Sequence, residues 1–347
     1  MSRKLSKNNS IVDVAKKAGV SIATVSRVLN GSPRVKESTR KQIMDIADRM
    51  GYSLAAGRPG PKPDQPSFKK RVAFVSFMDR YHSSGDLPAT FLALQRGVKE
   101  GMKGHGVAIQ RYCIDTEAEL PDELVAGSFD GFILEGLRPH PTVERFLRTK
   151  PCCWVTNTPW TPTWGDHVMI DHREAGMIAA EYLINHACRK LAIIKLGQAD
   201  RVSALREEGF IYAAGKQGVR AQALAARSPL PDVRTSYPEL VYVDEIITQF
   251  KKTAGSADGI FFESDRSLAT LYPVMVREKL IVPGKTVLIG CNNQQTFFKG
   301  ISPHPATIEV HFEQIGRMGT SQLLWRMQNP DCRKVRAFIS PTLISLS

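Results

Sequence analysis

Residues 11–31 read IVDVAKKAGVSIATVSRVLNG, and their apolar residues recur at helical spacing on both sides of a short turn. The apolar residues of the first predicted helix share one face: Ile11, Val14, Ala15 and Ala18. Gly19 ends that helix, and a second helix is predicted over 22–29 with Ser21 as its N-cap. Two helices joined by so short a turn form a helix-turn-helix, whose second helix enters the DNA major groove N-terminus first.

The charge distribution supports a nucleic-acid partner for this region. Residues 1–71 contain 16 Lys and Arg but 5 Asp and Glu, whereas the remaining 276 residues contain 31 basic and 29 acidic side chains. Of the formal net charge of +13, a share of +11 therefore lies in one-fifth of the chain. Such a concentration predicts a polyanion partner, most simply double-stranded DNA. A third helix, predicted from about 36 to 50 and closed by Gly51, completes a small folded domain.

The N-terminal end of the second helix carries the predicted base-reading residues. Ile22, Ala23, Ser26 and Arg27 are expected to be exposed there. Arg27 can pair bidentately with a guanine, while Ile22 and Ala23 can pack on thymine methyl groups.

Residues 11–52 closely resemble the DNA-binding headpiece of the lactose-repressor (LacI/GalR) family of bacterial regulators. The most specific part is DVAKKAGVSIATVSRVLNG, followed by the pair TR at 39–40. The resemblance implies a homodimer that reads two half-sites of a pseudo-palindromic operator. The DNA contacts that it implies along the second helix are Ser21, Ile22, Ala23, Thr24, Ser26, Arg27 and Asn30. The phosphate-side contacts that it implies are Arg34, Thr39 and Tyr52.

Residues 53–71 form a Pro-rich basic linker that departs from the family. Members usually continue with a P-N-x-x-A-R-x-L pattern that forms a hinge helix on DNA, but here GRPGPKP (57–63) is followed by Pro66. Prolines remove amide donors and disfavour helix in the preceding residue, so no hinge helix is predicted. Two interpretations stay open. The segment is a semi-rigid tether, or Gly57-Arg58-Pro59 acts like an AT-hook and inserts Arg58 into a narrow minor groove.

From residue 72 onward, apolar strands alternate with helices, which predicts parallel sheets. This pattern resembles the two-lobed, periplasmic-binding-protein-like core of the same family. The predicted fold is thus an N-terminal all-α helix-turn-helix headpiece (1–52), the linker (53–71), and an α/β two-lobed core with parallel sheets (72–347). The resemblance implies three crossings between the lobes, near 160–166, 291–296 and 322–328.

The resemblance also implies a small-molecule effector, a sugar or sugar derivative, bound between the lobes. The cleft residues that it implies are Asn157, Arg206, Asp265 and Asn292. Trp160 and Trp164 are candidates to stack on a sugar face, or else are core residues. Asn292 stands where the family commonly has an aspartate, and an amide forms weaker, uncharged hydrogen bonds to hydroxyls.

Other classes of protein fit the sequence less well. It contains no G-x-S-x-G, no P-loop and no metal-ligand cluster, so neither an enzyme nor a cofactor or metal site is predicted. No apolar run of about 18 residues predicts a membrane span, and the N-terminus lacks a secretory signal, which disfavours a solute-binding protein. We expect a cytoplasmic, nucleoid-associated bacterial protein. The alternative function is a DNA-binding regulator or architectural protein that has lost effector response.

Replacing Arg58 distinguishes the two interpretations of the linker. If Arg58 enters the minor groove, Arg58→Ala lowers operator affinity by more than one phosphate contact, chiefly on operators with an A·T-rich centre. Fluorescence-anisotropy titrations on operators with A·T-rich and G·C-rich centres measure this difference. Equal losses on both would leave the segment as a charged tether.

Overall fold

A computed structural model describes the protein over residues 11–29, 32, 35–50, 70–78, 89–156, 162–196, 201–226 and 241–345. The chain divides into two compact units between Ser67 and Phe68. The predictions for Gly51 and for most of the linker, including its AT-hook-like motif, lie outside the described residues.

The described part of the first unit contains three helices, α1 (Ile11–Ala18), α2 (Ile22–Leu29) and α3 (Glu37–Arg49). Their apolar faces meet in one small core, formed by Val14, Ala15, Ala18, Val25, Val28, Ile43 and Ala47. The predicted positions of the three helices are confirmed to within one residue at each end. A helix-turn-helix therefore follows directly from the spacing of apolar residues in this part of the sequence.

Strands and helices alternate along most of the described part of the second unit. Its strands are β1 (Lys70–Met78), β2 (Val107–Asp115), β3 (Gly131–Gly136), β4 (Cys152–Val155), β5 (Asp166–Ile170), β6 (Lys190–Lys195), β7 (Arg220–Ala225), β8 (Gly259–Phe262), β9 (Val287–Ile289), β10 (Thr307–Glu309), β11 (Arg336–Ile339) and β12 (Thr342–Ile344). Its helices are α4 (Ala89–Met102), α5 (Asp122–Ala126), α6 (Pro141–Leu147), α7 (His172–Asn185), α8 (Arg201–Lys216), α9 (Val243–Thr253), α10 (Asp265–Arg277) and α11 (Phe312–Gln328). None of these helices is both long and apolar enough to cross a membrane.

Two parallel sheets define two lobes. The six-stranded sheet has the order β11-β5-β4-β3-β1-β2, and the four-stranded sheet has the order β7-β6-β8-β9. We call the larger sheet, with α4–α6 and α11, the first lobe, and the smaller sheet, with α7–α10, the second lobe. Strand β10 pairs with β12 in antiparallel orientation and adjoins β9 through a bridge between Ile289 and Ala306. The predicted two-lobed α/β core with parallel sheets is thereby confirmed.

The chain changes lobe later than predicted from the sequence at all three places. The predicted crossings near 160–166, 291–296 and 322–328 are corrected to Asp171, to the residues between β10 and α11, and to those between β11 and β12. The first error arises because β5 pairs with β4 and β11 and so belongs to the first lobe. An apolar strand sequence does not specify the sheet that the strand joins.

An ion pair explains why 322–328 stays within the first lobe. Arg326 of α11 donates to the Asp166 carboxylate of β5 from Nε at 2.9 Å and from Nη2 at 2.8 Å. Gln322 Nε2 donates to the same carboxylate at 2.7 Å. Burial would raise the pKa of Asp166, but the hydrogen bond from Arg326 and its other donors hold the pKa below its usual value. The last turns of α11 are therefore fixed against β5.

Glycines allow the closest helix packing in both lobes. In the second lobe, a Cβ on Gly176 of α7 would overlap the carbonyl oxygen of Arg206, and one on Gly209 of α8 would overlap that of Arg173. In the first lobe, Gly97 of α4 and Gly316 of α11 face the opposing backbone in the same way. At these positions, each helix rests on the backbone of its partner rather than on side chains.

The substitution Gly176→Ala should therefore destabilise the protein. We expect the free energy of unfolding to fall by about 1–3 kcal/mol, since a methyl group must push two packed backbones apart. Gly215→Ala is the matched control, because a Cβ at that position of α8 would lie in open space; it should stabilise by about 0.5–1 kcal/mol. Urea unfolding followed by circular dichroism measures both, and equal effects would contradict the packing argument.

Candidate nucleic-acid interface and ligand cleft

The second helix of the first unit has one buried and one exposed face. Val25 and Val28 are buried in the three-helix core, whereas Ala23 and Arg27 are exposed and Ile22 is 48% exposed. The exposed side of α2 thus offers apolar side chains in its first turn and a guanidinium in its last turn. The arrangement suits contact with apolar and hydrogen-bonding groups of another molecule.

Side chains fix both ends of α2. At its start, Ser21 Oγ accepts a hydrogen bond from the amide of Thr24 at 3.1 Å, so the predicted N-cap is confirmed. At its end, Arg40 of α3 donates to the carbonyl oxygens of Val28, at 3.5 Å, and of Ser32. The arginine of the TR pair therefore caps the C-terminus of α2 and sets its angle to α3, a role that was not predicted from the sequence.

The structure describes seven of the predicted DNA-contacting residues. Ser21, Ile22, Ala23 and Arg27 are exposed, and Thr24, Ser26 and Thr39 are half-buried. The four others lie outside the described residues: Asn30, Arg34, Tyr52 and Arg58. DNA contact by all of them stays a prediction.

A cavity of about 390 Å³ lies between the two lobes of the second unit. Its first-lobe wall includes Phe77, Phe91, Leu94 and Glu135, and its second-lobe wall includes His172, Val202, Arg206 and Asn292. The volume and the mixture of apolar and polar groups suit a small organic molecule.

The guanidinium of Arg206 is fixed in the cleft by hydrogen bonds to three residues. Its Nε donates to Nδ1 of His172 at 3.2 Å, and its Nη2 donates to Oδ1 of Asn292 at 3.1 Å. Its Nη1 donates to the carbonyl oxygen of Glu263. Burial and the charge of Arg206 hold the pKa of His172 well below its usual value, so the imidazole is neutral and accepts through Nδ1. These contacts use three of the five N–H groups of the guanidinium.

Asn292 has an unusual backbone conformation, with φ of 100°, and its amide donates to the carbonyl oxygen of Ile308 at 2.8 Å. Asparagine tolerates positive φ better than most residues do. Its side chain thereby reaches both Arg206 and the cleft. Arg206 and Asn292, predicted separately from two motifs, thus lie together at this wall.

Asp265 lies behind the cleft wall, which corrects its assignment to the effector site. It is fully buried, and its carboxylate accepts from the amide of Gln294 at 2.6 Å and from Oγ1 of Thr307 at 2.7 Å. A Cβ at Gly290 would overlap the same carboxylate. Burial raises the pKa of Asp265 to about 7. The residue therefore anchors the loop that carries Asn292.

Trp164 is a core residue of the first lobe, which corrects its assignment as a sugar-stacking residue. Its ring packs edge-to-face on Trp154 with centroids 5.3 Å apart, and its Nε1 donates to Oε1 of Glu144 at 3.1 Å. Both indole rings lie in the apolar cluster on the sheet. Asn157 and Trp160, the other predicted effector contacts, lie outside the described residues.

Two titratable residues of the cleft, Glu135 and His172, were not predicted from the sequence. A signal existed for each. Glu135 is an acidic residue at the end of an apolar strand, DGFILEG, and His172 directly follows the strand residues of IDHREAG. Polar residues at the carboxyl ends of parallel strands commonly face ligands. Within the described part of the chain, no three His, Cys, Asp or Glu side chains cluster as a metal site.

Two family models and several known proteins match the chain. Residues 10–53 match the bacterial regulatory proteins of the lacI family, and residues 180–345 match the periplasmic binding protein-like domain. The HTH-type transcriptional regulator GntR of Pseudomonas aeruginosa is 25% identical over 318 residues, which cover 90% of this chain and 87% of that protein.

Solved structures share the arrangement of a helix-turn-helix followed by a two-lobed core. The complex of the transcriptional regulator CelR with cellobiose has a TM-score of 0.61 at 19% identity, covering 97% of this chain and 98% of that one. The lac repressor dimer bound to operator has a TM-score of 0.59 at 15% identity, covering 98% of both chains. The chain therefore consists of a lacI-family helix-turn-helix domain followed by a periplasmic-binding-protein-like core, and its relatives are transcriptional regulators of the LacI type.

Proposed function

We propose that this chain is a sequence-specific DNA-binding transcriptional regulator, with repression as its expected action, controlled by a small-molecule effector bound between its lobes. The observation that carries the proposal is the exposure of three side chains along α2. Ile22, Ala23 and Arg27 project from a helix that is capped at both ends, in the basic part of the chain. A rigid helix with exposed apolar groups in its first turn and an exposed guanidinium in its last turn suits the major groove.

In this proposal, three parts of the chain have different roles in operator binding. Residues 1–52 read base edges, 53–71 connect the units, and 72–347 bind the effector and dimerise. A homodimer places two copies of α2 on the half-sites of a pseudo-palindromic operator, in keeping with the operator complex of the lac repressor dimer. Such a regulator would act on DNA in the bacterial cytoplasm.

The cleft supports a sugar or sugar derivative as the effector. The Arg206 guanidinium and the Asn292 amide lie side by side, and such a pair can bind adjacent hydroxyl groups. Apolar side chains such as Phe77 and Phe91 can pack on the carbon face of a sugar ring. Cellobiose, bound in the CelR structure, belongs to this chemical class. Closure of the lobes on the effector would shift the geometry of the dimer and hence DNA affinity.

A DNA-binding protein without effector response is the alternative. The observation that favours it is the internal use of cleft groups, since Arg206 is bonded to three neighbouring residues and Asn292 replaces a carboxylate. A thermal-shift screen against sugars separates the two functions, because a functional cleft is stabilised by its ligand. A core that no sugar stabilises would support the alternative.

Arg27 tests base reading. On an operator identified by genome-wide footprinting, Arg27→Ala should weaken binding by about 1–3 kcal/mol, the range for one bidentate contact to guanine. Arg27→Lys is the matched variant because it keeps the charge but loses the planar fork. It should retain the salt dependence of binding and still lose preference for the operator over a scrambled duplex. Anisotropy titrations that show full operator preference in both variants would contradict base reading by Arg27.

Arg206 tests the effector site. Arg206→Lys should weaken binding of any stabilising sugar roughly 10–100-fold, because hydrogen bonds to a charged group contribute about 1.5–3 kcal/mol each. Arg201→Lys is the control, since Arg201 is exposed at the first turn of the same helix. Isothermal titration measures the affinities, and circular dichroism checks that the variants are folded. Unchanged affinity in Arg206→Lys would exclude the guanidinium from effector binding.

A further inference from the structure

Glu135 is the acidic residue among the described side chains that line the cleft. It ends β3, and the parallel register places it beside Ser76 of β1. Because side chains alternate along a strand, Glu135 shares a sheet face with Ile133, which packs in one cluster with Phe91 and Leu94 of α4. The Glu135 carboxyl group therefore lies on the sheet face that α4 covers, next to Ile133, at the edge of that face where the cleft begins.

The backbone around Glu135 is tightly held. The next residue, Gly136, has φ of 95°, and a Cβ there would overlap the carbonyl oxygen of Phe77. The amide of Leu137 donates to that same oxygen at 2.8 Å. The backbone at the end of β3 is thus in close contact with that of β1, which fixes the position of Glu135 on the first-lobe wall of the cleft.

Among the described residues, no basic side chain offsets the effect of burial on the Glu135 carboxyl group. Burial raises its pKa to about 7, and the nearby Ser76 hydroxyl opposes this only in part. A basic side chain within about 4–6 Å would have lowered the pKa instead. Arg206, on the opposite wall, is occupied with His172 and Asn292. Burying such a carboxyl group at a ligand cleft is costly unless a bound molecule supplies a hydrogen-bond donor.

We propose that Glu135 is a specificity-determining residue of the first lobe, which accepts a hydrogen bond from a hydroxyl or ammonium group of the effector while Arg206 and Asn292 hold its other end. This inference rests on the effector-binding function proposed above. It selects effectors that present a donor, not a carboxylate, to the first-lobe wall. An effector bound in this way bridges the two lobes and favours their closure.

Effector binding through Glu135 should depend on pH. A donor that contacts Glu135 stabilises the carboxylate, so binding lowers the pKa from about 7 and releases a proton. Affinity should therefore rise as the pH increases from below to above 7. The other described titratable groups of the cleft are His172, whose pKa lies well below its usual value, and the guanidinium of Arg206. From α4 and α11 the cleft receives uncharged side chains, such as Phe91 and Phe312.

The test uses the full-length protein and its variants Glu135→Gln and Glu123→Gln. Glu123 is an exposed acid on α5 of the same lobe and serves as the matched control. Each protein is screened by thermal shift against D-ribose, cellobiose, D-glucosamine and D-gluconate, and every stabilising probe is then titrated calorimetrically in two buffers of different ionisation enthalpy. We expect Glu135→Gln to bind such a probe about tenfold more weakly or worse, and Glu123→Gln to match wild type.

Proton release distinguishes recognition by Glu135 from a general effect on folding. At pH 7, wild type should release roughly half a proton on binding, since a group with a pKa near 7 is about half protonated there. Glu135→Gln should release close to none. Equal affinity of wild type and Glu135→Gln, or proton uptake in place of release, would overturn the assignment while leaving effector binding intact. Failure of every probe to stabilise wild type would count against effector binding itself, and with it against a role for Glu135.

Discussion

The backbone contact between α7 and α8 is the constraint on which the ligand cleft depends. Gly176 and Gly209 let the two helices touch without intervening side chains. This packing brings the first residue of α7, His172, against Arg206 of α8, so that the neutral imidazole can accept from the guanidinium. A larger residue at either glycine would push α7 and α8 apart and so separate His172 from Arg206. The same device in the first lobe holds α11 on α4, so both walls of the cleft are set by helices packed backbone to backbone.

The polar groups of the cleft are divided between its two walls in a way that fits the proposed bridging effector. Arg206 and Asn292 belong to the second lobe, and Glu135 belongs to the first. The position of Asn292 commonly carries an aspartate in the lactose-repressor family, so the carboxylate expected on the second lobe is replaced by an amide. An acid is instead available on the opposite wall. A ligand that contacts both walls would favour the state in which the lobes are closed, and lobe closure is the step that links the effector to DNA affinity in the proposed homodimer.

The DNA-reading unit depends on short-range interactions, and the sequence by itself determined it. The bounds of α1, α2 and α3, the N-cap at Ser21 and the exposure of Arg27 all follow from residues within a few positions of one another. Helical periodicity and capping operate over such distances, so they can be read from a single chain. The parallel sheets were predictable for a similar reason, because buried strands alternating with helices leave few other topologies. The motifs around Arg206 and Asn292 also located one wall of the cleft.

Only the tertiary structure decided which lobe each segment joins and which way its polar side chains face. Strand β5 lies in the first lobe because it pairs with β4 and with β11, a strand far along the chain. Trp164 faces the core, where Glu144 accepts its N–H, and Asp265 turns away from the cleft to hold a loop. In the sequence, Glu135 is an acidic residue at the end of a predicted strand. Its position at the cleft is known only from the folded structure, in which α4 covers the same face of the sheet. Local sequence determines which residues of a helix or strand are buried. The hydrogen-bond partner of a buried polar group, in contrast, often belongs to a distant segment of the chain, whose position no local pattern specifies.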